Sequence, residues 1–289
     1  MTLIQTLLTP NYVMQVSDRR LTRGGKFHDG HFNKAVSWHG CMTAAFTGFA
    51  YTDCQETNPV SLWIADVLRW HYDTGSAIDA LLIGATKIAF DLASCWEKRK
   101  LSIVLAGVPP GSGFAYLARI SNFESGPDKF PRQKDHFMVD QHLMPVVGEN
   151  LGYYVSGVSL KKNEMERVRA MLPQIVQSHG VNNVARFLVG VQRRVAARSG
   201  AVGLDAMVMV VPARPTAPLA VLTDTASDAV MDVNSNFSYV RAHSFSPQRI
   251  APLMAGDGKV IQMMGWGDAA GNQGAKMRFL KLPEPGELG

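Results

Sequence analysis

Apolar residues run from Thr2 to Leu8 and again from Tyr12 to Asp18, with Thr9, Pro10 and Asn11 between them, a composition that predicts two antiparallel strands joined by a tight turn. A stretch punctuated by glycine follows, from Gly24 to Gly30. Two more strand-like runs, Phe32 to Trp38 and Met42 to Phe46, are broken at His39 and Gly40. From Pro59 the period changes. Leu62, Ile64, Ala65, Val67 and Leu68, then Ile78, Leu81, Leu82, Ala85, Ile88, Ala89 and Leu92, recur at helical spacing, with Thr74, Gly75 and Ser76 read as the break between two helices. Ser102 to Val108 and Phe114 to Asn122 read as strands on either side of a turn at Pro109 to Gly113, and Glu124 to Pro145 is polar with little periodicity. Met165 to Ser178 and Val181 to Arg198 are amphipathic, the second carrying Val184, Leu188, Val191 and Val195 on one stripe; Ala206 to Val211 is a buried strand.

Strands, two helices, strands, two helices and a strand is the order expected of an α+β fold in which two antiparallel sheets pack face to face under outer helices, a four-layer αββα sandwich. Residues 1–212 form that domain. Residues 213–289 are richer in Pro, Ser, Asp and Gly, with short strand-like pieces at Leu219 to Leu222 and Lys259 to Met264, and are expected to complete or decorate the sandwich.

Composition narrows the function more by exclusion than by suggestion. A chain of 289 residues can bury a large core without staples, and Cys41, Cys54 and Cys95 make an odd set with no C-x-x-C pair. Neither a disulfide framework nor a structural zinc is expected; Cys41 and Cys95 read as buried small hydrophobes, and a cytoplasmic setting fits. The opening MTLIQTLLTP has no signal-peptide pattern, and no run of about eighteen apolar residues suggests a membrane span. Lys and Arg outnumber Asp and Glu by 29 to 24, yet Arg19, Arg20, Arg23 and Lys26, and Lys98, Arg99 and Lys100, lack interleaved aromatics and read as solvated faces, not a nucleic-acid track. Gly111, Ser112 and Gly113 read as a turn. Asp135, His136, Asp140 and His142 read as a polar loop; no metal and no cofactor is expected.

Candidate chemistry gathers at the open end of the first hairpin. With a turn near residue 10, strand partners sum to about 20, which sets Thr2 opposite Asp18, and the next excursion returns at Lys34 to the same end. A threonine hydroxyl is a poor nucleophile without a base. Once the bond before Thr2 is cut, its own α-amine, with an ordinary pKa of about 8, is such a base. Lys34 would hold positive charge beside the hydroxyl, and Asp18 would keep Lys34 charged and aimed.

These residues, with Asp18-Arg19-Arg20-Leu21-Thr22 and Gly48-Phe49-Ala50 at family spacing, resemble the catalytic β-type subunits of the proteasome and the bacterial HslV peptidases, N-terminal-nucleophile hydrolases. The resemblance implies a threonine peptidase acting on peptides or unfolded proteins within a homo-oligomeric ring, and it allows an ATP-dependent unfoldase as partner. It implies that Gly48 gives the oxyanion-hole N–H, that Thr22, Gly48 and Ala50 bind an extended peptide through main-chain bonds, and that Leu21, Phe32, Val36, Phe46 and Ala50 line an apolar specificity pocket. Ser199 matches the serine of the family's Asp-x-x-Ser-Gly pattern, but Ala196 stands where the aspartate belongs, with Asp205 nearby; the Gly-Ser-Gly serine has no clean match in Val147-Gly148-Glu149-Asn150, and Ser156 comes later. A catalytically silent scaffold of the same fold and a small-molecule amidase are the alternative expectations.

Overall fold

The protein is described by a computed structural model covering residues 1–23, 26–30, 32–109, 111–126, 128–130, 132–145, 151–213, 229–231, 237–240, 253–267 and 273–282. The stretch Leu219 to Leu222 and residues 147–150 lie outside the described residues.

The first two strands are β1 (Leu3–Leu8) and β2 (Tyr12–Asp18). Thr9 shapes their turn: its Oγ1 accepts the Tyr12 N–H at 2.9 Å and donates to the Tyr12 carbonyl at 2.7 Å. Only Pro10 and Asn11 sit in the loop, so partners sum to 21, as in Ile4 with Ser17 and Leu8 with Val13. This register is one residue off the sequence expectation, which assumed a loop centred on residue 10. Asp18 therefore meets the Leu3 backbone, and the Leu3 N–H donates to Asp18 Oδ2 at 2.9 Å.

A separate short hairpin follows, β3 (Leu21–Arg23) and β4 (Lys26–Asp29), then β5 (Ala35–Trp38) and β6 (Met42–Gly48). Helices α1 (Val60–Leu68) and α2 (Thr74–Asp91) come next, the latter running into a 3-10 turn at Leu92–Ser94. Thr74, Gly75 and Ser76 do not separate the helices. They form the first turn of α2, because the Asp73 carboxylate accepts the Ser76 N–H at 2.8 Å and caps the helix there. Strands β7 (Leu101–Gly107) and β8 (Phe114–Ser121) lead to β9 (Glu124–Ser125), β10 (Asp128–Lys129), β11 (Met138–Pro145) and β12 (Gly152–Gly157). Helices α3 (Lys162–Ser178) and α4 (Val181–Ala196) and strand β13 (Ala206–Pro212) follow. Beyond residue 212 stand β14 (Ala229–Met231), β15 (Phe237–Val240), β16 (Leu253–Gly256), β17 (Lys259–Gly267) and β18 (Gln273–Leu280).

Two large sheets result, one of order β12-β1-β2-β13-β15-β14 and one of order β11-β8-β7-β6-β5-β16-β17-β18. The second is not wholly antiparallel, since β16 pairs parallel to β5. Strands from the C-terminal segment thus extend both sheets. The two-residue periodicity of β1 divides its side chains between two cores. Ile4 and Leu8 meet Ala45, Val104, Ala106 and Leu117 between the sheets, while Leu3 and Leu7 meet Val168, Leu172, Val184 and Leu188 of α3 and α4. A third core sets Ile64, Leu68, Ile78 and Leu81 of α1 and α2 against Val36, Phe46 and Leu105 on the far side of the second sheet. Gln15, fully buried, crosses between the sheets to donate to the Val104 carbonyl at 3.0 Å. Among the described residues no helix is long and apolar enough to cross a membrane.

The cysteines depart from expectation. Cys54 and Cys95 are joined by a disulfide with Cα atoms 6.0 Å apart, and Cys95 is exposed, not buried. Cys41 is the free thiol, half-buried. Of the apolar residues near Cys95 in sequence, Leu92 turns inward, while Phe90 and Ala93 are exposed with Cys95.

Candidate active site

The ends of β1, β2 and β6 and the segment entering β5 converge on Thr2, which is 2% exposed. Lys34 Nζ donates to Thr2 Oγ1 at 2.6 Å, and also to Asp18 Oδ1 at 3.4 Å and to the Arg20 carbonyl. Asp18, wholly buried, is met only by donors in the hydrogen bonds it makes. Its Oδ1 accepts from Arg20 N at 2.9 Å and Gly203 N at 3.2 Å as well as from Lys34, and its Oδ2 from Leu3 N. That is the complement an ionised carboxylate requires. Burial pushes the Lys34 pKa below the usual lysine value, and Asp18 pushes it back up. The Met1 amine is likewise lowered, by burial first and then by the Lys34 charge, with Asp18 opposing.

Thr47 is the residue that sequence reasoning missed. Its Oγ1 accepts the Thr2 N–H at 2.8 Å and donates to the Thr2 carbonyl at 3.3 Å, and it has no solvent exposure. The signal was present in the alternation of β6. Met42, Ala44 and Phe46 face the helices, so Thr43, Ala45 and Thr47 face the other sheet, and a buried hydroxyl at the open end of that row has to find a polar partner.

A second polar group lies beside it. Ser156 Oγ lies 3.1 Å from Ser102 Oγ and donates to Glu124, whose other oxygen accepts Gly157 N at 2.9 Å and pairs with Lys129 at 2.9 Å. Gly157 packs so closely that a Cβ there would stand 1.8 Å from the Thr2 carbonyl oxygen. No sequence pattern marks Ser156 or Glu124, since β9 and β12 are short strands with weak periodicity.

Next to Thr2 in sequence, Met1 lines a cavity of about 1020 Å³, with Leu21, Thr22, Gly48, Ala50 and Tyr51, and Glu56, Trp96, Glu97, Lys98, Lys100 and Arg132 also on its wall. Of the residues expected in the specificity pocket, Leu21 and Ala50 line this cavity, beside Thr22 and Gly48, but Val36 and Phe46 do not: both are buried in the core under α1 and α2. The strand period decides this, since these side chains point to the helix side of the sheet. Phe32 packs against that core and stands behind Tyr51, 5.6 Å between ring centres. The pocket is accordingly less apolar than expected. Gly48 has φ +124°, and Lys100 O lies 1.9 Å from where its Cβ would be, so only glycine fits.

Ser199 is not drawn into the cluster. It lies just past α4, its amide donating to the Ala196 carbonyl, and its side chain makes no hydrogen bond among the described residues; the same loop reaches Asp18 through Gly203 N instead. Asp205 touches the site strand through its backbone, its carbonyl accepting Arg19 N at 3.2 Å and Gln192 Nε2 at 3.0 Å. Elsewhere, Asp140 pairs with Arg119 at 2.7 Å and the His142 ring packs on Tyr154. Comparison with protein-family models and with curated proteins gives no match.

Proposed function

We propose that this chain is a threonine hydrolase of the N-terminal-nucleophile kind, cleaving peptide bonds with Thr2 after the bond to Met1 is cut, on a four-layer αββα sandwich. The observation that carries the reading is the 2.6 Å contact from Lys34 Nζ to the buried Thr2 Oγ1, one residue from Met1, which lines a large cavity. Burying an ammonium costs desolvation, and beyond its pairing with Asp18 its aim at the Thr2 hydroxyl adds nothing to packing, which favours a chemical use.

In the reaction the freed α-amine takes the Oγ1 proton as Oγ1 attacks the substrate carbonyl, forming the C–O bond. The oxyanion is received by the Gly48 N–H. The protonated amine gives its proton to the leaving amine as the C–N bond breaks, leaving an ester on Thr2. Water, activated by the same amine, hydrolyses that ester. Lys34 steadies the hydroxyl oxygen as it loses its proton; Asp18 and the Arg20 carbonyl hold Lys34.

Two features favour a peptide over a small amide. The cavity lies at the upper end of the range for small-molecule sites, about 300–1,000 Å³. The β5–β6 ladder starts at Ala35 with Ala45, so Gly48 at the end of β6 extends beyond β5 and, with Thr22 of β3, lines the cavity, where an extended chain would find backbone partners. The ring and the unfoldase partner rest on the resemblance, and the Cys54–Cys95 disulfide removes the cysteine argument on which a cytoplasmic setting rested.

The test is labelling of purified protein by a β-lactone or an epoxyketone. Intact mass is expected to show loss of Met1, and the adduct to map to the N-terminal tryptic peptide. Thr2→Ala and Lys34→Ala are each expected to abolish it while keeping wild-type circular dichroism. Labelling elsewhere, or undiminished in Thr2→Ala, makes the silent scaffold the better reading.

A further inference from the structure

We infer that Thr47 is a positioning residue for the Thr2 amine, its hydroxyl orienting the base toward the Thr2 hydroxyl; the inference rests on the function proposed above. The geometry gives a donor and an acceptor fixed in order. Thr47 has one hydroxyl hydrogen, and it is committed to the Thr2 carbonyl at 3.3 Å. The oxygen facing Thr2 N at 2.8 Å can therefore only accept. When the bond before Thr2 is cut, an amine at that nitrogen keeps one N–H on Thr47, and its lone pair is not consumed by a hydroxyl donor. That leaves the lone pair available to its own Oγ1, which Lys34 grips from the other side.

Thr47 is itself closely packed. It has no solvent exposure, sits opposite Ser102 in the β6–β7 ladder, and its Oγ1 lies 2.9 Å from the position a Cβ on Gly157 would take. A hydroxyl held this firmly fixes the rotation of the amine about the Thr2 Cα–N bond. Without it the amine turns freely among rotamers, only one of which aims the lone pair at Oγ1.

The charged groups near Thr2 are Lys34, on its hydroxyl, and Asp18 of β2, on the next amide, with Glu124 and Lys129 at Gly157. None changes when Thr47 is substituted. An acceptor on the amine favours its ammonium form, so losing it lowers the pH at which the base becomes available. A purely structural role for Thr47 would lower the rate without moving that pH.

The experiment measures acylation of Thr2 by a β-lactone across pH 5 to 9 in the full-length protein, for wild type, Thr47→Val, Thr47→Ser and Thr47→Cys. Thr47→Val is expected to label roughly ten- to a hundred-fold more slowly on the plateau, the loss of one hydrogen bond to a charged group, and to shift the acid limb to lower pH. Thr47→Ser restores both rate and limb. Thr47→Cys keeps the size with a weak acceptor and is expected to behave as the valine variant, serving in its place if valine does not fold. A variant lacking the hydroxyl that labels at the wild-type rate with an unmoved limb overturns the role of Thr47 alone. A wild type that never labels overturns the proposed function, and the role of Thr47 with it.

Discussion

Gly157 shows how much of the site depends on a missing side chain. Its φ is +80°, and a Cβ would fall 1.8 Å from the Thr2 carbonyl and 2.9 Å from Thr47 Oγ1. Backbone strain of a non-glycine residue there costs about 1–3 kcal/mol, and the clash must also move Thr2. Gly157→Ala is therefore expected to lower the thermal midpoint and to abolish labelling of Thr2. Gly111 is the control: its φ is +72° but nothing lies within 4 Å of its Cβ position, so Gly111→Ala carries the backbone strain alone and labelling persists. Equal effects in the two variants would show that the contact with Thr2 is unimportant. Lys34 and Asp18 were legible in the sequence because charged residues at strand ends near a candidate nucleophile can be placed by counting. Gly157 was not, because its partner is 155 residues away and no local pattern marks it.

Between elements, the walls of the cavity are tied together covalently. Cys54 lies in the loop after β6, close to Tyr51 and Glu56, and Cys95 follows the 3-10 turn, next to Trp96, Glu97 and Lys98; these neighbours line the cavity from two sides. A bridge spanning 41 residues of chain is worth roughly 3–4 kcal/mol where it forms. Cys54→Ser is expected to lose about that stability and to raise KM for an extended peptide while kcat changes little, since Thr2, Lys34 and Asp18 stand apart from the bridge. Alkylation without reductant should modify Cys41 alone, against three cysteines after reduction; three reactive thiols from the start would show that the bridge is absent. The elements with strong periodicity were readable: the first hairpin, α1 to α4, β7, β8 and β13. The edge strands were not. β11 carries Asp140, Gln141 and His142 on a sheet edge, where one side is left to solvent and the apolar alternation that betrays a strand is diluted. The pocket was misjudged for a related reason, because a mixed run such as Phe32 to Trp38, with Ala35 and Val36 adjacent, does not reveal which face each residue takes until the sheet pairing is known.

At the scale of the molecule, strands from beyond residue 212 are built into both sheets, and unfolding is expected as a single transition whose midpoint can be followed against pH. Four phenols set its alkaline limit. Burial raises the pKa of Tyr12 from 10.0 to about 12 and raises those of Tyr116, Tyr153 and Tyr154. Tyr153 in addition donates to Gln5 Oε1 at 2.8 Å, a bond its phenolate would lose. A folded pKa above the unfolded value means the native state holds the proton longer. The stability this gives is complete below pH 10, begins to fall there, and is lost as pH rises through about 12. For Tyr12 alone the loss is about 3 kcal/mol. Lys34 acts with the opposite sign: its folded pKa is lowered, so the unfolded state binds its proton more tightly and stability rises with pH until the unfolded lysine titrates. One lysine does not offset four tyrosines, and the denaturant midpoint should fall steadily above pH 10. Tyr12→Phe separates the contributions, because phenylalanine has no proton to lose: near pH 7 it should match wild type closely, and above pH 10 its midpoint should fall less steeply. A Tyr12→Phe curve parallel to wild type through pH 11 would show that the Tyr12 phenol is not held neutral by burial.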